Sequence, residues 1–215
     1  MIKRKVAVFA LSFTFFSANA QGLKPGLYVG IDLFKSLPTY FDAGYTIEPS
    51  LIYVLKNNGL KIDAVTGISD VSTKVIYGNV NYKNSGRYYK LGMRKEFGGD
   101  KNFDGGLSLG YTSYTETGKT VLAGNYFGSY TIENRQENKL FFMEASFSYQ
   151  IRLLARLYLV PQVRWAYALS AFNTDSFPAY SAPGIGYLRP FVSDYTLQSA
   201  KGSFGLSARL VYKIF

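Results

Sequence analysis

Eight segments of this 215-residue chain alternate apolar side chains with polar or small ones, and a single phase fits all of them. A two-residue period predicts strands whose successive side chains point to opposite faces of a sheet. The eight apolar rows begin at Leu27, Ile47, Leu60, Tyr89, Leu107, Phe141, Leu157 and Leu206. An even number of strands of about 10 residues, apolar outside and polar inside, is typical of bacterial membrane barrels. We therefore predict an all-β fold, an eight-stranded antiparallel transmembrane up-and-down β-barrel with a closed lumen.

The connections between these segments alternate between short and long. Short turns are predicted at residues 57–59, at 98–102 and near Leu153, and longer connections at about 35–43, 70–86, 116–138 and 171–200. Membrane barrels have short periplasmic turns and long external loops. The alternation predicts that the four long loops are external and that both termini are periplasmic. Pro49 lies inside the second segment, where its missing N–H predicts a nearby bulge.

The beginning of the chain has the three parts of a secretory signal peptide. Lys3, Arg4 and Lys5 precede an apolar block at 6–16, and small residues follow up to Ala20. The block is shorter than the roughly 20 residues of a membrane-spanning helix. We predict a signal peptide at 1–20 and the barrel at 21–215, with a retained membrane anchor as the alternative.

The last strand ends on an aromatic residue, which resembles the insertion address of bacterial outer-membrane barrels. The common phase turns Tyr212 and Ile214 outward, so Phe215 points to the lumen side or lies just past the barrel edge. We predict that Tyr212, Ile214 and Phe215 form the insertion signal, and that the protein resides in a Gram-negative outer membrane. A soluble sandwich or lipocalin-like barrel also alternates and is the alternative fold.

The inward rows carry four acidic and four basic residues near the middle of the predicted barrel. These are Asp32, Glu48, Asp63, Glu144, Lys90, Arg94, Arg164 and Arg209. Eight strands leave an interior just wide enough for side chains, and buried charges are costly unless they are paired. We predict a structural salt-bridge plug in the lumen, with a narrow pore as the alternative.

Composition bears on which chemistry the chain can perform. It contains no histidine and no cysteine, and its formal net charge is +10. Histidine is the usual proton carrier near neutral pH, so we predict no enzymatic activity, no catalytic residue, no metal and no cofactor. The excess of positive charge predicts contact with outer-membrane lipid or lipopolysaccharide rather than nucleic acid, because beyond the signal no basic run exceeds two residues.

Aromatic residues are concentrated in the third and fourth long loops. They are Tyr126, Phe127, Tyr130, Phe172, Phe177, Tyr180, Tyr187, Phe191 and Tyr195. Exposed aromatics often mark protein contact surfaces, so these are candidate partner-binding residues. The alternative is that the loops fold over the barrel rim.

Several short glycine–aromatic motifs point to a family. Segments 24–33, 88–92, 106–111, 144–164 and 183–187, together with the last strand, resemble an uncharacterised family of small outer-membrane barrels of Bacteroidota, a domain of unknown function. The resemblance implies no catalytic residues. By analogy with other small closed barrels, we expect an accessory subunit that binds other outer-membrane proteins in the barrel assembly machinery or in a nutrient-uptake or secretion complex. A surface ligand-binding or adhesin-type barrel and a narrow pore are the alternatives.

Overall fold

The computed structural model describes residues 22–33, 43–56, 59–76, 79–98, 102–124, 128–172, 177, 181–187 and 202–215. The regular elements of these residues are strands: β1 Gly26–Asp32, β2 Ala43–Ile47, β3 Pro49–Val54, β4 Leu60–Ile76, β5 Asn79–Phe97, β6 Phe103–Gly124, β7 Gly128–Tyr149, β8 Ile151–Arg152, β9 Leu157–Ala168, β10 Ser181–Ala182, β11 Gly186–Tyr187 and β12 Gly202–Lys213. No helix in this part of the chain is long and apolar enough to cross a membrane.

Eight of these strands form a closed antiparallel ring. Strands β1, β3, β4, β5, β6, β7, β9 and β12 follow one another in chain order, and β12 pairs with β9 on one side and with β1 on the other. Within the described residues, the ring strands therefore use both edges for pairing, which removes the exposed edge of an open sheet. This confirms the predicted all-β, antiparallel, eight-stranded sheet.

Burial follows the predicted phase along the strands. In β1, Tyr28 and Asp32 are buried while Val29 and Ile31 are exposed, and in β7 buried Phe142 alternates with exposed Phe141. Ala208 is an exception, since it is buried although its phase is outward. Its side chain is small and lies between those of Leu206 and Leu210 on the same strand. Elsewhere, large apolar side chains cover the outside of the ring, and charged, polar and aromatic side chains occupy its inside.

The strands β4 to β7 are longer than the sequence predicts. The segments 70–86 and 116–138, predicted as loops, are largely strand, and β6 pairs with β7 from Phe103–Tyr149 to Gly124–Gly128. Both faces of these extensions are rich in polar residues, so they lack the apolar alternation that identified the other strands. Threonines at 115, 117 and 120 nevertheless favour extended backbone.

Pro49 interrupts its strand without adding a residue. β2 and β3 are separated at Glu48, yet both pair with β4 in one register, Ile47 with Ile68 and Ser50 with Val65. The Asp32 N–H still donates to the Glu48 carbonyl at 3.1 Å. The bulge predicted near Pro49 is therefore absent from this pairing.

Aromatic rows bound the apolar outer face of β5, β6 and β7. At the end of the ring that carries Gly26 and Phe215, here called the near end, Phe97, Phe103 and Tyr149 lie in one cross-strand row. Towards the opposite or far end, the corresponding row is Tyr89, Tyr111 and Phe141. We call the outward positions between and including these rows the apolar band; Lys95 is its charged member.

Candidate functional site

The middle of the ring interior holds a network of ion pairs. Lys90 of β5 reaches two acids, with its Nζ 3.3 Å from Glu48 Oε2 and 3.3 Å from Glu144 Oε1. Arg164 of β9 lies on the other side of Glu144, with Nη1 3.0 Å from Oε2. All four side chains are buried, so each charge is compensated by an opposite charge within the interior rather than by water.

The same network continues towards β12 and β4. Arg209 Nη1 lies 2.6 Å from Asp63 Oδ2, and its Nη2 lies 3.6 Å from Glu48 Oε1. Arg94 Nε is 3.6 Å from Asp63 Oδ2. These contacts bring seven of the eight predicted plug residues into one connected group, and buried Asp32 lies on β1 opposite Arg209 in the strand register.

A second group of interior acids and bases, which the predicted plug does not include, lies closer to the near end of the ring. Lys61 Nζ lies 2.8 Å from Asp104 Oδ2 and 3.0 Å from Glu96 Oε1. Arg94 Nη1, 3.5 Å from Asp104 Oδ1, joins this group to the central network. Continuing the inward phase two residues past Arg94 would have found Glu96, and the same phase on β6 leads from Ser108 back to Asp104.

Part of the predicted fourth long loop folds into the ring. In the β10–β11 segment, Ala182 and Ile185 are buried in a core formed with Tyr114, Leu140, Phe142, Ala166 and Ala168. The Gly184 carbonyl accepts a hydrogen bond of 3.1 Å from Arg164 Nη1. The segment 181–187 thus lies directly on the far side of the ion-pair network and uses one of its guanidinium donors.

Polar side chains of the far-end walls hold this loop in place. Gln136 of β7 pairs with the backbone of Phe177: its Oε1 accepts from the N–H at 3.2 Å and its Nε2 donates to the carbonyl at 3.5 Å. Asn84 of β5 donates to the Ser181 carbonyl at 2.9 Å. These amides act as backbone partners for a loop segment that would otherwise bury unpaired peptide groups.

Glu116 lies buried beside these amides, beyond the apolar band. The Tyr82 hydroxyl donates to its Oε1 at 2.6 Å, and Asn138 Nδ2 donates to its Oε2 at 3.1 Å. Among the described residues it forms no ion pair. Burial raises the pKa of Glu116 from 4.5 to about 7, and hydrogen bonds from Tyr82, Asn138 and Gln136 oppose that rise. The cluster can therefore change its charge near neutral pH, next to the backbone of the inserted loop.

The predicted loop aromatics have different environments. Phe177 is fully buried, with its ring centroid 5.8 Å from that of Tyr82, and Phe172 is partly buried against the core of the inserted loop. Neither is an exposed contact residue, because the loop folds inward; Tyr130 is exposed. Tyr187 belongs to β11, and the remaining predicted aromatics lie outside the described residues: Tyr126, Phe127, Tyr180, Phe191 and Tyr195.

The residues of the predicted insertion signal lie at the near end. Tyr212, Ile214 and Phe215 are exposed, and Phe215 follows β12, with its carbonyl accepting from the Leu27 N–H at 3.3 Å. Their role in insertion stays a prediction. The predicted signal peptide, 1–20, lies outside the described residues. No group of three or more acidic, His or Cys side chains in the described ranges is arranged to hold a metal.

These observations define a class of protein, an eight-stranded antiparallel ring with an apolar outer face and an ion-paired, loop-filled interior. The chain belongs to the DUF6048 family, a domain of unknown function whose model matches residues 11–198. The predicted membership of an uncharacterised family is confirmed to that extent, and the Bacteroidota origin stays a prediction. No curated protein matches the sequence.

Three solved structures are similar to the chain over 88% of its length. Neisserial surface protein A is 14% identical over 97% of its own chain, with a TM-score of 0.45. The N-terminal β-barrel domain of Pseudomonas aeruginosa OprF is 9% identical over 98% of its chain, with a TM-score of 0.36. A major outer membrane protein from Thermus thermophilus is 10% identical over its whole chain, with a TM-score of 0.47.

Proposed function

We propose that the chain is an integral outer-membrane β-barrel with a sealed lumen, and that it serves as a non-enzymatic accessory subunit of a larger outer-membrane complex. The observation that carries the membrane assignment is the inverted distribution of polarity, with ion pairs inside the ring and large apolar side chains outside. Leu107 and Leu109, for example, are 60% and 68% exposed. A contiguous apolar surface of this kind is unfavourable in water and favourable in lipid.

The dimensions of the apolar band support the same assignment. From Phe97 to Tyr89 the strand advances about 27 Å at about 3.4 Å per residue, and a strand tilt of about 35–45° reduces this to about 20 Å. Outer-membrane barrels have apolar bands of about 25 Å between aromatic girdles. The aromatic rows at both ends of the band fit such girdles.

A structural role is supported by how the interior is occupied. The ion-pair network crosses the ring at mid-height, and the 181–187 segment fills the space beyond it, so little room is left for a solute path. The interior acids Glu48, Asp63 and Glu144 are engaged by lysine and arginine side chains. Groups held in this way stabilise the barrel rather than act on a substrate.

The hairpin formed by the far-end parts of β6 and β7 is the proposed partner surface. It continues beyond the apolar band to Gly124 and Gly128. On this extension Val121, which continues the outward row, and Tyr130 and Ile132, which continue the opposite row, are exposed by 47%, 59% and 42%. Apolar and aromatic side chains that project into water beyond a membrane are suited to contact with another protein.

Truncation of this hairpin tests the accessory role. In the truncated variant, Asn-Gly replaces residues 118–134, directly after the register pair Thr117–Arg135. We expect the tagged full chain to purify in mild detergent with a stoichiometric outer-membrane partner, and the variant to remain folded and membrane-inserted but to lose it. The identity of the partner distinguishes assembly, uptake and secretion complexes. Recovery of the full chain as a monomer alone, from cells at native expression levels, would contradict the accessory role.

A further inference from the structure

The outer wall of β4 to β7 carries a cationic row directly beyond the apolar band. Arg87, Ser113 and Lys139 are register partners on adjacent strands, and all three point outward. Arg87 and Lys139 are exposed. Strands lie about 4.8 Å apart, so the two cationic residues start about 10 Å from each other. Their long side chains can therefore converge above the hydroxyl of Ser113.

The acids closest to this row are already paired with other cations. Asp70 and Glu137 occupy the next outward row, and the row after that supplies their partners. Lys83 Nζ lies 3.2 Å from Asp70 Oδ1, and Arg135 Nη2 lies 2.8 Å from Glu137 Oε1. Within the described ranges, neither Arg87 nor Lys139 forms an ion pair, so both charges remain available to an external anion.

An apolar groove of about 780 Å³ crosses the outer wall from β1 to β7 and ends one outward row before these cations. The small side chains of Ala64 and Thr66 form the floor of the groove. Leu51 and Leu91 flank Ala64 on the two neighbouring strands. The groove also reaches the aromatic row that immediately precedes the cations: Tyr89, Tyr111 and Phe141. Apolar surface and positive charge are thus arranged in the order of an acyl chain followed by an anionic headgroup.

We propose that this wall binds an acyl lipid with a phosphate headgroup, with the phosphate between Arg87 and Lys139 and an acyl chain in the groove. The inference rests on the proposed function, because it requires the apolar band to face lipid. Charged hydrogen bonds from the two cations and the Ser113 hydroxyl would hold the phosphate, and burial of the chain adds apolar contact. The groove is the reason to assign a lipid rather than free phosphate.

The test compares the two cations of the proposed site with the two neighbouring ion pairs on the same wall. Detergent-purified full chain is titrated with dioleoyl phosphatidic acid, and bound lipid is counted by native mass spectrometry. We expect the double variant R87Q/K139Q to lose about tenfold in affinity, as two charge-assisted contacts are removed. The matched control D70N/K83Q/R135Q/E137Q removes both partners of the two neighbouring ion pairs. It leaves no unpaired acid beside Arg87 and Lys139 and does not alter the net charge, so it should change affinity less than about twofold.

Two further arms separate lipid from anion binding. Filling the groove floor with Ala64→Trp should weaken phosphatidic acid binding, and millimolar inorganic phosphate should not displace the lipid. Equal losses in R87Q/K139Q and in the quadruple control, or displacement by inorganic phosphate together with an unaffected Ala64→Trp, would overturn the inference. If the wild-type chain failed to insert into liposomes, the proposed function itself would fail; insertion without selectivity over dioleoyl phosphatidylcholine would overturn only the lipid site.

Discussion

At the scale of single residues, two positions decide how the fourth loop is held inside the ring. Gly184 combines a φ of +84° with lack of space, since a Cβ there would lie 2.7 Å from the ring of Tyr88. Glu116 lies beside the loop backbone and is surrounded by the neutral groups of Tyr82, Gln136 and Asn138. Gly184 leaves no space for a larger side chain in the inserted segment. The charge of Glu116 is expected to make the packing of the loop depend on pH.

Adding one carbon at Gly184 should displace the inserted segment. Gly184→Ala introduces both backbone strain and a clash, so Ile185, buried in the wild type, should become accessible. Because the chain has no cysteine, Ile185→Cys gives a unique probe, and we expect maleimide labelling at least about tenfold faster in the alanine background. Gly128→Ala is the matched control, with a φ of +76° but no atom within 4 Å of the added carbon. Equal labelling in both backgrounds would refute the steric account.

The inserted loop should be held more tightly at mildly acidic pH. Burial raises the pKa of Glu116 above its ordinary value, so the folded state binds the proton more strongly than the open state does. Loop stability is then complete below about pH 4.5, falls as pH rises to about 7, and is constant above that. Hydrogen exchange of the Phe177 amide, corrected for intrinsic rates, measures this, and Glu116→Gln should remove the dependence. An unchanged pH profile in Glu116→Gln would exclude Glu116 as its source.

At the scale of strands and loops, the two-residue period predicts which residues face the lumen. It does not predict which of these residues pair, or where the strand extensions and the inserted loop lie. It assigns Lys90, Arg94 and Glu144 to the interior because a strand can turn a residue only inward or outward. Which charges meet cannot be predicted in this way, since Arg209 and Asp63 are 146 residues apart and pair across the lumen. The far-end extensions are rich in polar residues on both faces, and residues 181–187 turn inward without an apolar alternation, so neither could be distinguished from an external loop by its pattern.

The interior ion pairs should contribute more to stability than those on the outer wall. Arg209→Ala leaves the buried acids Asp63 and Glu48 with one cation fewer, and we expect a loss of about 3–5 kcal/mol in the free energy of unfolding. Lys83→Ala, which breaks the exposed pair with Asp70, should cost about 0–1 kcal/mol. Urea unfolding from lipid vesicles measures both. Similar losses for the two variants would mean that the interior network does not hold the strands together.

At the scale of the whole molecule, the ring separates two environments. Ion pairs and a loop fill the inside, an apolar band covers the outside, and the β6–β7 hairpin continues beyond both. These features together favour a sealed membrane barrel that presents a surface to other envelope components. We therefore expect the apolar band to contact lipid and the hairpin to lie in water.

Spin labels along the outward face of β6 can measure which residues contact lipid and which contact water. Single cysteines are placed at Leu107 and Leu109 in the apolar band, and at Thr115 and Thr117 beyond it. In lipid bilayers, we expect labels at the two leucines to collide mainly with dissolved oxygen, and labels at the two threonines to collide mainly with a water-soluble nickel complex, as the band of a membrane barrel requires. Equal access of the nickel complex to all four positions would contradict a membrane-spanning barrel.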